Sequence, residues 1–218
     1  MTELLTQTEP RQMRRNILRL SWPAILRQFL QSIVGVVDVM MIGRLGASAI
    51  AAVDMANRLV FVLIGTLMSM TIATTALVAH NIGAGNRKMA NHIMWQSLLG
   101  GTILAVVLAV GGMLGARRML ELMMILMDEV DPFVLAEGTA YLRIVLASMV
   151  AALPMMVINA VLQGLGDMKT PLYIMVIANI VNVLFNYLLI FGIWIFPELG
   201  VRGAAWGTAL ARLAGAGI

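Results

Sequence analysis

The chain has 218 residues, of which 61% are hydrophobic and only 12% charged, and its mean hydropathy is +0.92. That balance excludes a soluble globular domain, which needs far more polar surface, and places the chain in a lipid bilayer. The net charge of +4 does not indicate a nucleic-acid partner, because the basic residues are scattered instead of forming a stripe, and the lack of cysteine excludes disulfides and thiolate metal sites.

Residues 1–17 form a polar, basic segment, expected in the cytoplasm. No short apolar core with a small-residue cleavage site follows it, so the first span is expected to stay attached as an anchor. Apolar spans are predicted over residues 18–43, 56–80, 92–115, 140–163, 171–196 and 201–218. The first five approach the ~20 residues that carry a helix across hydrocarbon. The sixth carries Arg212, is too short to cross, and reads as a helix cut before its end. The expected fold is an all-α membrane protein, a six-helix transmembrane bundle with its last helix truncated.

The first span contains Arg27, Gln28, Gln31 and Asp38. An acid in such a segment is costly unless it faces a bundle interior or a wet cavity, where it commonly carries protons or cations. The residues alone leave a second reading open, a hydrated acid near a helix end, since Gly43 lies only about 7 Å further along a helix. The connection after the second span holds Gly83-Ala84-Gly85-Asn86, flanked by His80 and His92. It lacks the third glycine and the Lys-Ser/Thr pair of a phosphate loop, and no strand precedes it, so it reads as a turn and not a nucleotide site. No metal site is expected at the two histidines. The stretch 116–143 combines Arg117-Arg118, a Met-rich run and Asp128, Glu129 and Asp131, and is expected to hold a short amphipathic helix at the membrane interface. Residues 164–171 have a plain turn composition.

Spacing gives the isolated polar residues meaning. Arg27, Gln31 and Asp38 share one face of the first helix, Asn179, Asn182 and Asn186 one face of the fifth, and Asn159 and Gln163 one face of the fourth beyond Pro154. The economical inference is that these stripes face one another around a polar cavity. Asn179 reads as interhelical glue. For Asn182 and Asn186 the residues alone leave glue and cavity lining equally open. Met40, Met41, Met149, Met155, Met156 and Met175 fall near the stripes, where soft side chains suit a tolerant pocket or simply fill gaps. No Ser/His/Asp constellation and no H-E-x-x-H motif occur, so no enzyme and no cofactor are expected.

Orientation follows from the basic residues. With the N-terminus in the cytoplasm, Arg11, Arg14, Arg15, Arg19, Arg87, Lys88 and Lys169 lie inside, and Arg44, Arg117, Arg118 and Arg202 outside. The bias favours a multi-pass protein of the cell (inner) membrane with a cytoplasmic N-terminus.

Five ordered motifs carry a resemblance. Val37-Asp38-Val39-Met40-Met41-Ile42-Gly43-Arg44-Leu45-Gly46 resembles the first-helix signature of the multidrug and toxic compound extrusion (MATE) transporters. Ile82 to Arg87, Leu162 to Pro171, Asn182 to Gly192 and Leu199 to Ala209 resemble the family's later junctions and its fifth and sixth helices. The resemblance implies one lobe of a twelve-helix, two-lobe carrier that opens alternately to either side of the membrane. It implies export of small amphipathic or cationic compounds in exchange for H⁺ or Na⁺, with a C-terminal lobe as the missing partner. It also implies a coupling role for Asp38 with Asn182 and Asn186, and a supporting network of Tyr141, Asn159 and Thr208, which Gln31 and Gln163 extend along their helix faces. Many members have an aspartate where this chain has Asn186, and others share Asn186-Tyr187, so the coupling ion stays open. Two other readings stand beside this one: a lipid-linked oligosaccharide flippase of the same superfamily, which calls for several basic cavity residues, and a non-transporting membrane scaffold.

Overall fold

A computed structural model describes residues 10–126 and 131–217, with side chains from residue 21 onward. The expectations placed on residues 1–9, on Asp128 and Glu129, and on the side chains of Arg11, Arg14, Arg15 and Arg19 lie outside the described residues.

The fold is an all-α bundle of α1 (Pro10–Gly43), α2 (Ala47–Gly83), α3 (Arg87–Ile125), α4 (Pro132–Gly164), α5 (Lys169–Phe191) and α6 (Val201–Ala216). Five of the helices are long and apolar enough to cross a membrane. The 16-residue α6 falls below that length, yet it is a continuous helix packed between α4 and α5.

Hydropathy locates the part of each helix that sits in hydrocarbon, and the helices run on past it. The extensions are stabilised locally. Arg58 pairs with Asp54 at 2.9 Å in the first part of α2, and Arg117 with Glu121 at 2.7 Å in the last part of α3, both one turn apart. The second pair lies within the expected interface helix of 116–143. That element does not form separately, because α3 meets no glycine or proline after Gly115 and continues to Ile125. α4 then begins at Pro132, with the Asp131 carboxylate accepting from the Phe133 N–H at 2.8 Å. The fifth helix ends earlier than residue 196. Gly192 takes φ 62, the left-handed conformation that closes a helix, and Pro197 follows in the connection.

The turns on the opposite side are capped as well. The Asn86 side chain accepts from the Met89 N–H at 3.1 Å, so the Gly83–Asn86 segment is a helix cap and no phosphate cradle. Between α4 and α5 the Asp167 carboxylate accepts from the Lys169 and Thr170 N–H groups and, at 2.6 Å, from the Thr170 hydroxyl. The Thr170 hydroxyl, then the backbone N–H groups, hold the Asp167 carboxyl below the usual carboxylate range.

α4 is the central helix and packs on α2, α3 and α6, while α1 packs chiefly on α5. Helix association in lipid gains little from hydrophobicity and relies on close contact and interhelical hydrogen bonds. Thr75 Oγ1 on α2 donates to the Ala160 carbonyl on α4 at 3.0 Å, and Thr74 Oγ1 donates to Ser97 Oγ on α3 at 2.8 Å. Large apolar side chains such as Phe61, Ile72, Ile103 and Leu114 point outward and exposed. In water this surface would drive aggregation; against lipid it is the expected exterior.

Candidate ion-coupling site

Asp38 lies near the end of α1, half-buried, where α1 packs on α5. Its Oδ1 accepts a hydrogen bond from Asn186 Nδ2 at 2.8 Å. Asn186 is 1% exposed and also donates to Asn182 Oδ1 at 3.4 Å, one turn back on the same face. Asn182 Nδ2 in turn reaches Thr208 Oγ1 on α6 at 3.5 Å, and the Thr208 hydroxyl donates to the Ala204 carbonyl at 3.0 Å. Three helices therefore meet through linked hydrogen bonds that run outward from Asn186, which donates on one side to Asp38 and on the other, by way of Asn182, toward Thr208 and the Ala204 carbonyl. Because a carboxylate only accepts, the Asn186 amide must present its nitrogen to it. A hydrogen bond to a charged group contributes about 1.5–3 kcal/mol. That is comparable with the ~2.5–3.5 kcal/mol that an aspartate costs at a helix centre in a membrane. The Asn186 bond thus offsets much of the penalty that makes Asp38 unusual.

The seat of Asn186 is built by α6. A Cβ on Gly207 would coincide with Asn186 Oδ1 and stand 2.9 Å from the Asn186 backbone nitrogen. Gly203, one turn earlier, presses on the Leu189 and Ile190 backbone, and Gly215 on Met155 and Ala178. Gly203, Gly207, Ala211 and Gly215 recur every fourth residue, so one small-residue face of α6 brings its backbone against α5. This spacing was visible in the sequence and is the signal by which Gly207 could have been found. Asn186 Oδ1, lodged in the notch, is buried without a hydrogen-bond partner.

Tyr141 on α4 is buried, and its hydroxyl donates to Asn57 Oδ1 on α2 at 3.3 Å. The Thr208 hydroxyl also lies against it. Asn57 sits between Ala56 and Arg58 in the polar extension of α2, where no amide stripe marks it, and sequence reasoning missed it.

The remaining stripes do not converge here. Asn159 lies five turns (about 27 Å) along α4 from Tyr141 and so sits at another level of the bundle. It is half-buried, with Oδ1 unpartnered, and Gln163 lies one turn further away, also half-buried. Gln31 is exposed on α1, and Arg27 is half-buried one turn before it. Among the described residues Asn179 makes no interhelical hydrogen bond: its Nδ2 is buried and unpartnered, and the residue borders an apolar groove of about 630 Å³ between α1 and α5. A shared polar cavity lined by all three stripes is therefore not what the helices form. The physical reason is depth: each stripe marks a face, and the fourth-helix stripe lies at the opposite end of its helix. The methionines scatter likewise, with Met149 buried in the core, Met40 exposed and Met41 on the apolar groove. Among the described residues no cluster of His, Asp and Glu could hold a metal ion, and His80 and His92 are exposed.

Known proteins share this sequence pattern and fold. The MatE family model matches residues 23–188. A protein of Thermotoga maritima, the probable multidrug resistance protein NorM, is 30% identical over 214 residues, covering 98% of this chain and 45% of its own length. The probable multidrug resistance protein YoeA of Bacillus subtilis is 31% identical over 193 residues, covering 88% of this chain and 41% of its own length. Among solved structures, an outward-facing multidrug resistance MATE family transporter superposes with a TM-score of 0.84 at 23% identity, over 92% of this chain and 43% of that one. A transporter of the same superfamily from Pyrococcus furiosus superposes with a TM-score of 0.83 at 23% identity, over 92% and 42%. The chain spans less than half the length of the relatives it matches.

Proposed function

This chain belongs to the MatE family, and from that premise we propose that it forms one lobe of a secondary antiporter that exports organic cations or toxic metabolites by alternating access. The family is one of carriers, so no catalytic residue is assigned. The observation that carries the reading is the hydrogen bond between Asp38 and the buried Asn186, an intramembrane acid tied to a neighbouring helix. Asp38, Asn182 and Asn186 are the coupling residues in this reading, with Thr208 and Tyr141 supporting them. Asn159, Gln163 and Gln31 lie at other levels and belong to the substrate path.

The mechanism follows from the donor inventory. The ionised Asp38 accepts from Asn186 Nδ2, and Asn186 Oδ1 is unsatisfied. A proton on Asp38 turns the acid into a donor, for which the free Oδ1 is the matching acceptor. Proton uptake then favours a turned amide, which breaks the Asn186–Asn182 link within α5 and takes Oδ1 out of its seat against Gly207 of α6. Release of the proton on the other side restores the chain of bonds. Proton binding thereby biases one lobe between two arrangements, which is what an antiporter needs at a site between two rocking bundles. The flippase alternative calls for several free basic side chains. Arg212, a basic residue inside the bundle, is already bound to the Val145 carbonyl and Ser148, which weighs against it.

Two experiments test this reading. A fluorescent organic cation is loaded into proteoliposomes and an opposing pH gradient imposed. The 218-residue chain alone is expected to leave the dye inside, and co-reconstitution with a complementary six-helix lobe to release it. Release that requires a pH gradient but no second lobe would refute the one-lobe assignment. Orientation in the inner membrane is tested separately. The chain has no cysteine, so single cysteines report cleanly. Lys169→Cys is expected to react only from the cytoplasmic side and Trp194→Cys only from the outside; the reverse pattern would invert the topology.

A further inference from the structure

Arg117 and Arg143 take no part in the coupling site, yet the fold brings them together. Met113, Arg117 and Glu121 recur every fourth residue along one face of α3, and Ala136, Thr139 and Arg143 follow one face of α4. A groove of about 360 Å³ runs between these faces, and both arginines line it. Arg143 reaches from α4 to α3, where its Nε donates to the Met113 carbonyl at 3.3 Å. That carbonyl belongs to the turn of α3 that leads to Arg117, so the Arg143 head is anchored next to the Arg117 side chain.

Two guanidinium groups held side by side repel, and the protein neutralises only one of them. Glu121 Oε1 accepts from Arg117 Nε at 2.7 Å. Arg143 has no carboxylate within ion-pair distance among the described residues. Its bond to Met113 uses Nε alone and leaves both Nη groups for another acceptor. Both arginines are exposed, so that acceptor has to come from outside the bundle. A guanidinium edge fits the paired oxygens of a phosphate, and binds them more strongly than neutral acceptors.

The neighbouring surface says what carries the phosphate. Ile103, Val107, Val110 and Leu114 are exposed and form an apolar stripe on α3, beside the groove face. The stripe ends one turn before Arg117. A molecule that matches this surface has a long apolar part followed by a negative charge, as an anionic phospholipid does. Basic pockets between transmembrane helices suit such headgroups.

We infer that the α3–α4 groove binds an anionic phospholipid, with its phosphate between Arg117 and Arg143 and an acyl chain along the stripe from Ile103 to Leu114. In the orientation proposed above, this is a lipid of the outer leaflet. Among the described residues α3 packs on α2 and α4 and not on α1, α5 or α6. The lipid site is therefore separate from Asp38, and its test is independent of the export reading.

The test uses the 218-residue chain in neutral detergent, titrated with dioleoyl phosphatidylglycerol or dioleoyl phosphatidylcholine. These lipids share acyl chains and differ in headgroup charge, and native mass spectrometry counts the bound copies. Phosphatidylglycerol is expected to bind more tightly, and Arg117→Gln and Arg143→Gln are each expected to weaken it about fivefold, the scale of one basic residue at an anionic membrane surface. Binding of phosphatidylcholine is expected to stay the same in both variants. Arg58→Gln is the control, because Arg58 is an exposed arginine paired with Asp54 on α2 and lies outside the groove; it is expected to bind as wild type. Equal binding of the two lipids by the wild-type chain overturns the inference, as does an equal loss in Arg58→Gln. Displacement of phosphatidylglycerol by millimolar inorganic phosphate also overturns it, since the groove would then be a site for a free anion. If Arg143→Gln does not fold, Arg117→Gln decides the matter alone, because Arg117 is exposed and bonded within its own helix. Unchanged phosphatidylglycerol binding in that variant overturns the inference.

Discussion

Asp38→Asn in the two-lobe protein is expected to reduce pH-driven efflux of an organic cation to the level of empty vesicles, while insertion and folding persist. The two halves of this expectation have different origins. An amide cannot gain or lose a proton in the working pH range, so the coupling step proposed for Asp38 has no substitute. The fold is spared because Asn at position 38 still offers a carbonyl oxygen to Asn186 Nδ2, which now reaches Asp38 Oδ1 at 2.8 Å. What is lost is the charge assistance, about 1 kcal/mol by the difference between charged and neutral hydrogen bonds. The desolvation cost of the acid disappears at the same time and offsets that loss. The measurement is dye efflux from proteoliposomes under an imposed pH gradient, paired with size-exclusion profiles of both proteins. Wild-type rates in the Asn variant would end the case for Asp38 as the coupling group. Loss of rate with aggregated protein would show that the acid is structural instead.

Gly207→Val is expected to prevent accumulation of folded protein, and Gly207→Ala to lower thermal stability by about 1–3 kcal/mol, the scale of overpacking a close contact. Any Cβ at this position lands on Asn186 Oδ1 and within 2.9 Å of the Asn186 backbone nitrogen, so turning the side chain away does not relieve the clash. α6 must then lift off α5, and the Asn186 amide loses its seat beside Asp38. Gly111→Ala is the control, since nothing lies within 4 Å of a Cβ there. Thermal unfolding in detergent, followed by the yield of monodisperse protein, compares the three. Equal stability of Gly207→Ala and Gly111→Ala would mean that α5 and α6 are looser than described, and the seat for Asn186 would fall with it.

Some of this molecule is a property of single helices and could be read directly. Lipid demands apolar length, so hydropathy located the spans and the bundle. An acid in such a length is rare for energetic reasons, so Asp38 stood out alone. The 3.6-residue period puts Asn182 and Asn186 on one face whatever that face meets, and both do lie on the α5 face that reaches Asp38 and Thr208. Other features needed neighbours. Where a helix ends beyond the hydrocarbon depends on caps and local ion pairs, such as Asp131 at α4 and Arg117–Glu121 in α3, which hydropathy does not weigh. Which polar faces meet depends on the depth and rotation of one helix against another. Hence Tyr141 joined Asn57 and Thr208 while Asn159 and Gln163, on the same helix, stayed five turns and more away. Gln31 shows the same limit within α1, since it shares a face with Asp38 by spacing and is exposed in the bundle. A periodic pattern states a direction around one axis. Distance between side chains on different helices is set by backbone approach, and here that approach is decided by Gly203 and Gly207, which let α6 close on α5 and fix Asn186 against Asp38.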